Sequence, residues 1–78
     1  MFKYMFDVYP VKCPIIEAGS IKRNEFLNNC YCVSVCFNKP MQTKNMLRSI
    51  KATYSNYNFY VYDRITGELY YYDNKSLA

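Results

Sequence analysis

The chain has no histidine, no tryptophan and only two glycines, Gly19 and Gly67. Without histidine it has neither an imidazole base that works near neutral pH nor the commonest nitrogen ligand for zinc. Two isolated glycines exclude a glycine-rich loop of the kind that cradles phosphate groups. We therefore expect a protein without enzymatic activity and without a cofactor.

Acidic residues are also few, with six scattered along the chain. Asp63 and Glu68 flank a predicted hairpin loop and are the one pair that could meet as an acid and a base. Solvated surface is the simpler interpretation of both residues, because acidic side chains beside a tight turn are common and Arg64 lies next to them.

A long apolar run is missing as well. The N-terminal segment MFKYMFDVYP is interrupted by Lys3 and Asp7 and has no small-residue cleavage site, so it does not resemble a signal peptide. It is also too short and too polar to cross a membrane. We expect a cytoplasmic protein that makes no contact with a membrane.

The chain is rich in apolar and aromatic residues, since 51% of its 78 residues are hydrophobic and 19% are aromatic. This composition differs from that of disordered proteins and predicts one folded domain over residues 1–78. The net charge of +4 is modest. It favours an acidic partner but falls short of the dense basic patch of a dedicated nucleic-acid-binding domain.

Alternation of apolar and polar residues predicts four strands. The first runs from Phe2 to Tyr9 and ends before Pro10, and the second is the octet CYCVSVCF at residues 30–37. Both faces of the octet are apolar enough for a central strand. The third and fourth strands, FYVYD and ELYYYD, form a hairpin around RITG, where Gly67 can adopt the positive φ of a short loop.

One amphipathic helix is predicted from Met41 to about Tyr54, where Met46, Leu47 and Ile50 recur at helical spacing. Residues 11–29 are harder to assign: a short helix through IKRNEFL, capped by the preceding serine, an irregular arm and an extra strand all fit. The predicted fold class is α+β, a small antiparallel sheet of about four strands in the order β-β-α-β-β. One amphipathic helix packs on one face of this sheet.

Three cysteines, Cys30, Cys32 and Cys36, stand close together in the octet and suggest a metal site. On a strand, however, residues 30 and 36 lie about 20 Å apart, whereas zinc needs every thiolate about 2.3 Å from the metal. We therefore predict no metal site and assign these cysteines to packing against the helix. The alternatives are a zinc site completed by Cys13 and a disulfide from Cys13, which a reducing cytosol disfavours.

The hairpin is rich in tyrosine, and a sheet covered on one face by a single helix leaves its other face open. We expect Tyr60, Tyr62 and Tyr71 to be exposed together. The pairing register of the two hairpin strands is undecided by one residue, because the loop can contain a bulge. Tyrosine suits an interface because it combines a large area with a hydroxyl group that stays satisfied in water. The alternative is that these tyrosines only cover the strand surface and pair across it.

Lys44, Arg48 and Lys51 form a basic stripe at i, i+4 and i+7 on the predicted helix. Such a stripe is usually the solvated back of an amphipathic helix. As a functional feature it could meet an acidic protein or phosphate groups. Basic residues combined with exposed aromatic residues are typical of proteins that bind single-stranded nucleic acids.

In size, α+β layout and lack of catalytic residues, the chain is similar to small phage-encoded inhibitors of host defence or replication proteins, anti-CRISPR proteins among them. This likeness rests on no motif and implies a class of function without assigning a role to any residue.

We predict a non-catalytic protein that occupies the surface of a partner protein, either an acidic protein or one associated with nucleic acid. The predicted contact residues are Tyr60, Tyr62, Tyr71, Lys44, Arg48 and Lys51. The alternatives are a single-stranded nucleic-acid-binding module and a structural subunit that self-associates, as in a homodimer, through its hairpin edges.

Overall fold

The structure is a computed structural model that describes residues 4–77. Its elements in chain order are β1 (Tyr4–Val11), α1 (Ile21–Asn28), β2 (Val33–Phe37), α2 (Thr43–Ile50), β3 (Asn58–Asp63), β4 (Leu69–Tyr72) and a 3₁₀ helix (Asn74–Leu77). The α+β class and the four-stranded antiparallel sheet are confirmed. The order is β-α-β-α-β-β, so the predicted order omitted one helix, and Phe2 of the predicted first strand lies outside the described residues.

The first strand of the chain lies inside the sheet, whose strand order is β2-β1-β3-β4. β1 pairs antiparallel with β2 on one side and with β3 on the other. β2 and β3 therefore run parallel to each other, and α2 connects them. A connection between parallel strands needs roughly a dozen residues or more, which the stretch between β2 and β3 provides.

The prediction that Pro10 ends the first strand is wrong, because β1 continues through Pro10 to Val11. β2 pairs with β1 only as far as Val8, opposite Val33, whereas β3 pairs with β1 as far as Val11. At Pro10 one edge of β1 therefore has no partner strand. A residue without an N–H group is tolerated at such a position.

The core lies between α2 and one face of the sheet, which we call the α2 face. Two residues of the predicted apolar stripe, Met46 and Leu47, are buried in it, and Ile50 and Tyr54 pack against its edge. The helix itself ends at Ile50, before the predicted end, and residues 51–53 continue as turns. The buried core cluster contains Phe6, Val8, Met46, Leu47, Phe59, Val61 and Leu77.

The two α-helices have eight residues each but differ in packing. α2 buries Met46 and Leu47, whereas α1 has no fully buried residue. Ser20 stands at the N-cap of α1, as the helical interpretation predicted, although its side chain makes no capping hydrogen bond. In the part of the chain that the structure describes, no helix is long and apolar enough to cross a membrane.

The predicted hairpin is confirmed, with β3 and β4 paired antiparallel and Gly67 at φ 77°. The interpretation of Asp63 as solvated surface is wrong, because Asp63 is only 8% exposed. Its Oδ1 accepts hydrogen bonds from the backbone N–H groups of Ile65, at 2.8 Å, and Thr66, at 3.2 Å. Asp63 thus holds the loop closed, a common role for aspartate in turns.

The cysteine octet forms an edge strand and not a central one. β2 begins at Val33, so Cys30 and Cys32 precede it, and Val33, Val35 and Phe37 pack against the core. Because side chains alternate along a strand, Cys36 falls on the opposite face from the helix. The predicted packing of the cysteines against α2 is therefore wrong. The valines and the phenylalanine occupy that position and bury more apolar surface there.

Candidate functional site

The second face of the sheet, which we call the α1 face, is partly covered by α1 and by the segment that precedes it. Phe26 packs edge-to-face against Tyr60, with ring centroids 6.4 Å apart. The backbone N–H of Ile16 donates a hydrogen bond to the Tyr60 hydroxyl. Tyr60 is therefore completely buried, and the prediction that it is exposed is wrong. The reason is that residues 11–29 fold over a face that a single helix was expected to leave open.

Tyr71 lies opposite Tyr60 on β4 and is also covered in part. The two rings meet edge-to-face with centroids 5.1 Å apart. The Arg23 guanidinium of α1 donates a hydrogen bond to the Tyr71 hydroxyl, and Tyr71 is half-buried. Of the three tyrosines expected to be exposed together, Tyr62 is the most accessible, with 38% of its surface exposed.

The predicted contact residues fall into two groups that the sheet separates. The three tyrosines belong to the α1 face, whereas the basic stripe lies on α2, which covers the opposite face. Lys44 and Arg48 are exposed, and Lys51 is half-buried. The six predicted contact residues therefore do not form one patch, because α2 covers the sheet face opposite the tyrosines.

Tyr62 belongs to a groove between α1 and the sheet, which we call the α1 groove. Tyr62 and Leu69 stand directly opposite each other on β3 and β4. The helix contributes residues three and four positions apart, which share one side of a helix. The groove has a volume of about 350 Å³ and is lined by Tyr9, Asn24, Leu27, Asn28, Tyr62 and Leu69.

The lining of the α1 groove is apolar and amide in character, and none of its six residues carries a charge. The leucine and tyrosine side chains offer apolar walls. The two asparagines offer amide groups that both donate and accept hydrogen bonds. This combination suits a segment of another protein that brings an apolar side chain and an exposed backbone.

Sequence reasoning identified Tyr62 but missed the other lining residues. The spacing of Asn24, Leu27 and Asn28 was a usable signal, because it places all three on one side of a helix over IKRNEFLN. The sequence alone leaves the structure of residues 11–29 open, so this spacing cannot be assigned to a helix without the fold. Nothing in the sequence indicates that this side of the helix lies beside Tyr62.

An ion pair lies beside the groove, since Asp7 is the cross-strand partner of Tyr62. Arg64 Nε donates to Asp7 Oδ2 at 2.8 Å, and Ser34 Oγ donates to Asp7 Oδ1 at 2.9 Å. Burial acts to raise the pKa of Asp7, but the hydrogen bonds from Arg64 and Ser34 and the charge of Arg64 outweigh it and hold this pKa below 3.8. Asp7 is therefore ionised at neutral pH and engaged in structure.

The four cysteines are free thiols. Burial and the negative charge of Asp7 raise the pKa of Cys32, and burial and the nearby Cys13 raise that of Cys30. A raised pKa keeps a thiol protonated at neutral pH, whereas nucleophiles and metal ligands act as thiolates. Among residues 4–77 no group of three or more histidine, cysteine, aspartate or glutamate side chains is placed to hold a metal ion.

The acid–base candidates Asp63 and Glu68 have separate partners. The Asp63 carboxylate accepts hydrogen bonds from the loop, as described above. Glu68 accepts a hydrogen bond from the Tyr70 hydroxyl, and this bond, followed by burial, raises the pKa of Tyr70. Both carboxylates are thus engaged in local structure.

No protein-family model matches the chain, and comparisons with curated proteins and with solved structures found no match.

Proposed function

We propose that the protein is a non-catalytic binding protein that occupies the surface of a partner protein through the α1 groove. The observation that carries this proposal is Tyr62, which is 38% exposed within a groove of apolar and amide side chains. Tyrosine is enriched at protein interfaces and at the positions that dominate binding energy. It loses little conformational freedom on binding because its side chain has few rotatable bonds.

The chemistry of the groove favours a particular kind of partner segment. Leu27 and Leu69 suit an apolar side chain, and the amides of Asn24 and Asn28 suit the backbone that carries it. A charged side chain is disfavoured there, because no lining residue can compensate its desolvation. The ion pair next to Tyr62 provides the polar rim that surrounds most interface cores.

The size of the molecule supports a blocking role. An interface of about 800 Å² per partner would cover about one seventh of the accessible surface of 5355 Å². Our more specific proposal is a phage- or mobile-element-type inhibitor that covers a site on a host protein, such as a defence complex, in the cytoplasm.

The test compares Tyr62→Ala with Tyr31→Ala, because Tyr31 is 68% exposed and lies outside the groove lining. Wild type and both variants are immobilised and exposed to host lysate. A protein enriched by the wild type is then purified and titrated calorimetrically against each variant. We expect Tyr31→Ala to bind as the wild type does and Tyr62→Ala to bind about thirtyfold more weakly, the loss typical of an interface hot spot.

Circular dichroism and thermal melting of both variants control for folding. If Tyr62→Ala retains wild-type affinity for every captured protein, the α1 groove is not the interface and the proposal fails.

Self-association is a second candidate, favoured by the composition of the sheet edges. β2 and β4 are the two edge strands, and their sequences VSVCF and LYYY contain no charged residue and no proline. Natural proteins commonly use charges or proline to protect such edges from pairing. Light scattering at two protein concentrations tests this candidate: a mass that rises towards the dimer supports it, and a constant monomer mass contradicts it.

A further inference from the structure

A polar cleft lies at the end of the sheet opposite the hairpin loop. Its volume is about 450 Å³. Its lining contains two lysines and three asparagines, and the only acidic residue in it is Asp73. The residues that matter here are Lys12, Asn56, Asn58, Asp73, Asn74 and Lys75.

Hydrogen bonds hold the walls of this cleft together. Asn58 Nδ2 donates to the carbonyl of Cys13 at 3.0 Å, and Asn58 Oδ1 accepts from the backbone N–H of Asn74 at 3.1 Å. The Asn74 amide donates in turn to the carbonyls of Ser55 and Tyr57. Three separate chain segments are thus tied into one frame that carries both lysines.

Aromatic side chains adjoin the cleft. The Lys12 ammonium lies 5.1 Å from the centroid of the Tyr57 ring. Tyr57 meets Tyr54 edge-to-face, with centroids 5.3 Å apart, and both rings are half-buried. A positive charge and partly accessible rings therefore stand side by side.

α2, which carries the basic stripe, contacts the 3₁₀ helix that carries Lys75. No acidic residue occurs between Glu25 and Asp63, so neither α2 nor the loop after it contains a negative side chain. Within residues 4–77 the only ion pair joins Asp7 and Arg64, which leaves these basic side chains without a described acidic partner. We call the basic residues of the cleft and of the stripe together the basic surface: Lys12, Lys44, Arg48, Lys51 and Lys75.

We propose that the basic surface binds the phosphate backbone of a single-stranded nucleic acid. The lysines and the arginine would neutralise phosphates, and Tyr54 and Tyr57 would offer ring surface to unpaired bases. A duplex cannot use these rings, because its bases are already stacked within the helix. The basic surface is separate from the α1 groove, so this binding goes beyond the proposed function and would direct the protein to a partner that itself holds nucleic acid.

The test measures fluorescence anisotropy of a labelled oligothymidylate of about 16 nucleotides, the upper end of the usual site sizes. Wild type is compared with the double variant Lys12→Gln/Lys75→Gln. The matched control is Lys22→Gln/Lys39→Gln, which removes the same charge from two exposed lysines outside the cleft lining. Affinities are measured between about 50 and about 200 mM salt.

We expect the cleft variant to bind about tenfold more weakly than the wild type and the control variant to stay within about twofold. The slope of log K against log salt should fall in magnitude by about 1.4 in the cleft variant, which corresponds to two lost phosphate contacts on a single strand. Lys75→Gln alone should also weaken binding. This single variant avoids any loss of stability that removal of the Lys12–Tyr57 contact causes.

Three results would each overturn the proposal. They are no binding at about 50 mM salt, equal losses in the two double variants, and a duplex that binds as tightly as the single strand. Tyr62→Ala should bind the oligonucleotide as the wild type does, so failure of the proposed protein-binding function would leave this measurement unchanged.

Discussion

Tyr60 and Tyr62 point to the same side of β3, yet their surroundings differ. Tyr60 is fully buried beneath Phe26 of α1, and its hydroxyl is bonded to the backbone of Ile16. Tyr62 lies two residues further along β3 and is 38% exposed. One tyrosine therefore contributes to stability and the other is available for binding.

This contrast predicts different effects on stability. Tyr60→Ala should lower the free energy of unfolding by about 3–5 kcal/mol, because a large buried side chain is lost and a cavity remains. Tyr62→Ala should lower it by about 1 kcal/mol or less, as expected of a partly exposed position. Urea denaturation followed by circular dichroism measures both values.

Tyr60→Phe is the matched control for the hydroxyl group. It keeps the ring against Phe26 and loses the hydrogen bond from Ile16, so it should cost about 1 kcal/mol. Equal and small effects of Tyr60→Ala and Tyr62→Ala would contradict the coverage of Tyr60 by α1.

Asp7 makes stability depend on pH in the acid range. Its pKa is lower in the folded protein than the ordinary value of 3.8. The stability that Asp7 contributes is therefore present above pH about 4 and is lost as the pH falls through the folded pKa. Asp7→Asn should show a smaller loss of stability between pH about 5 and about 2 than the wild type does.

Thermal melting across this pH range measures the effect. Glu17→Gln, which changes an exposed acidic residue, serves as the control and should follow the wild type. An Asp7→Asn profile identical to that of the wild type would show that the Arg64 ion pair contributes nothing to folding.

At the scale of elements, the two helices differ in how firmly they are held. α2 buries Met46 and Leu47 in the core, whereas α1 has no fully buried residue. Local opening is easiest where few apolar contacts are buried. α1 is therefore the element most ready to move away from the sheet and uncover Tyr60.

Hydrogen exchange should reveal this difference. We expect backbone amides of α1 to exchange at least about tenfold faster than those of α2, because local opening of α1 breaks few buried contacts. Mass spectrometry of peptides covering 21–28 and 43–50 measures the two rates. Equal protection of both helices would mean that α1 opens only when the whole domain unfolds.

The elements also show what the sequence could predict. The α2 stripe and the β3–β4 hairpin followed from local signals, namely helical spacing around Leu47 and a loop glycine at Gly67. α1 gave a weak signal because its contacts come from half-buried residues such as Arg23 and Phe26. The edge position of β2 depends on its pairing with β1, which residue spacing within β2 does not report.

The candidate site was harder to predict than the fold. Tyr62 was identified because strand periodicity and the composition of the hairpin are local properties. Leu69 was assigned to the hairpin. It lines a groove with Tyr62 only because α1 supplies the opposite wall of that groove. The burial of Tyr60 and Tyr71 depends on contacts between α1 and the second face of the sheet, and these contacts are a property of the tertiary structure.

At the scale of the whole molecule, one sheet supports two different surfaces. The α1 groove, on one face, is lined by uncharged residues, whereas the basic surface combines the polar cleft with the basic stripe of α2, the helix on the opposite face. Substitutions on one surface leave the side chains of the other in place. The two proposed activities can therefore be removed one at a time.

The prediction of a single domain can be tested by unfolding. Both faces of the sheet share the same strands, so unfolding of the sheet removes the support of both layers. Far-ultraviolet circular dichroism and tyrosine fluorescence should give coincident urea midpoints, as in two-state unfolding of a small domain. Two separate midpoints would contradict a single cooperative unit.

The position of β1 between β2 and β3 has a consequence for synthesis on the ribosome. β1 is translated before either neighbour, and its partner β3 follows only after both helices. Until β3 emerges, the nascent chain carries an apolar strand that lacks a neighbour on at least one side, and such strands invite aggregation. The sheet is completed only after β3 and β4 have been translated, so β1 lacks its β3 neighbour throughout the synthesis of both helices.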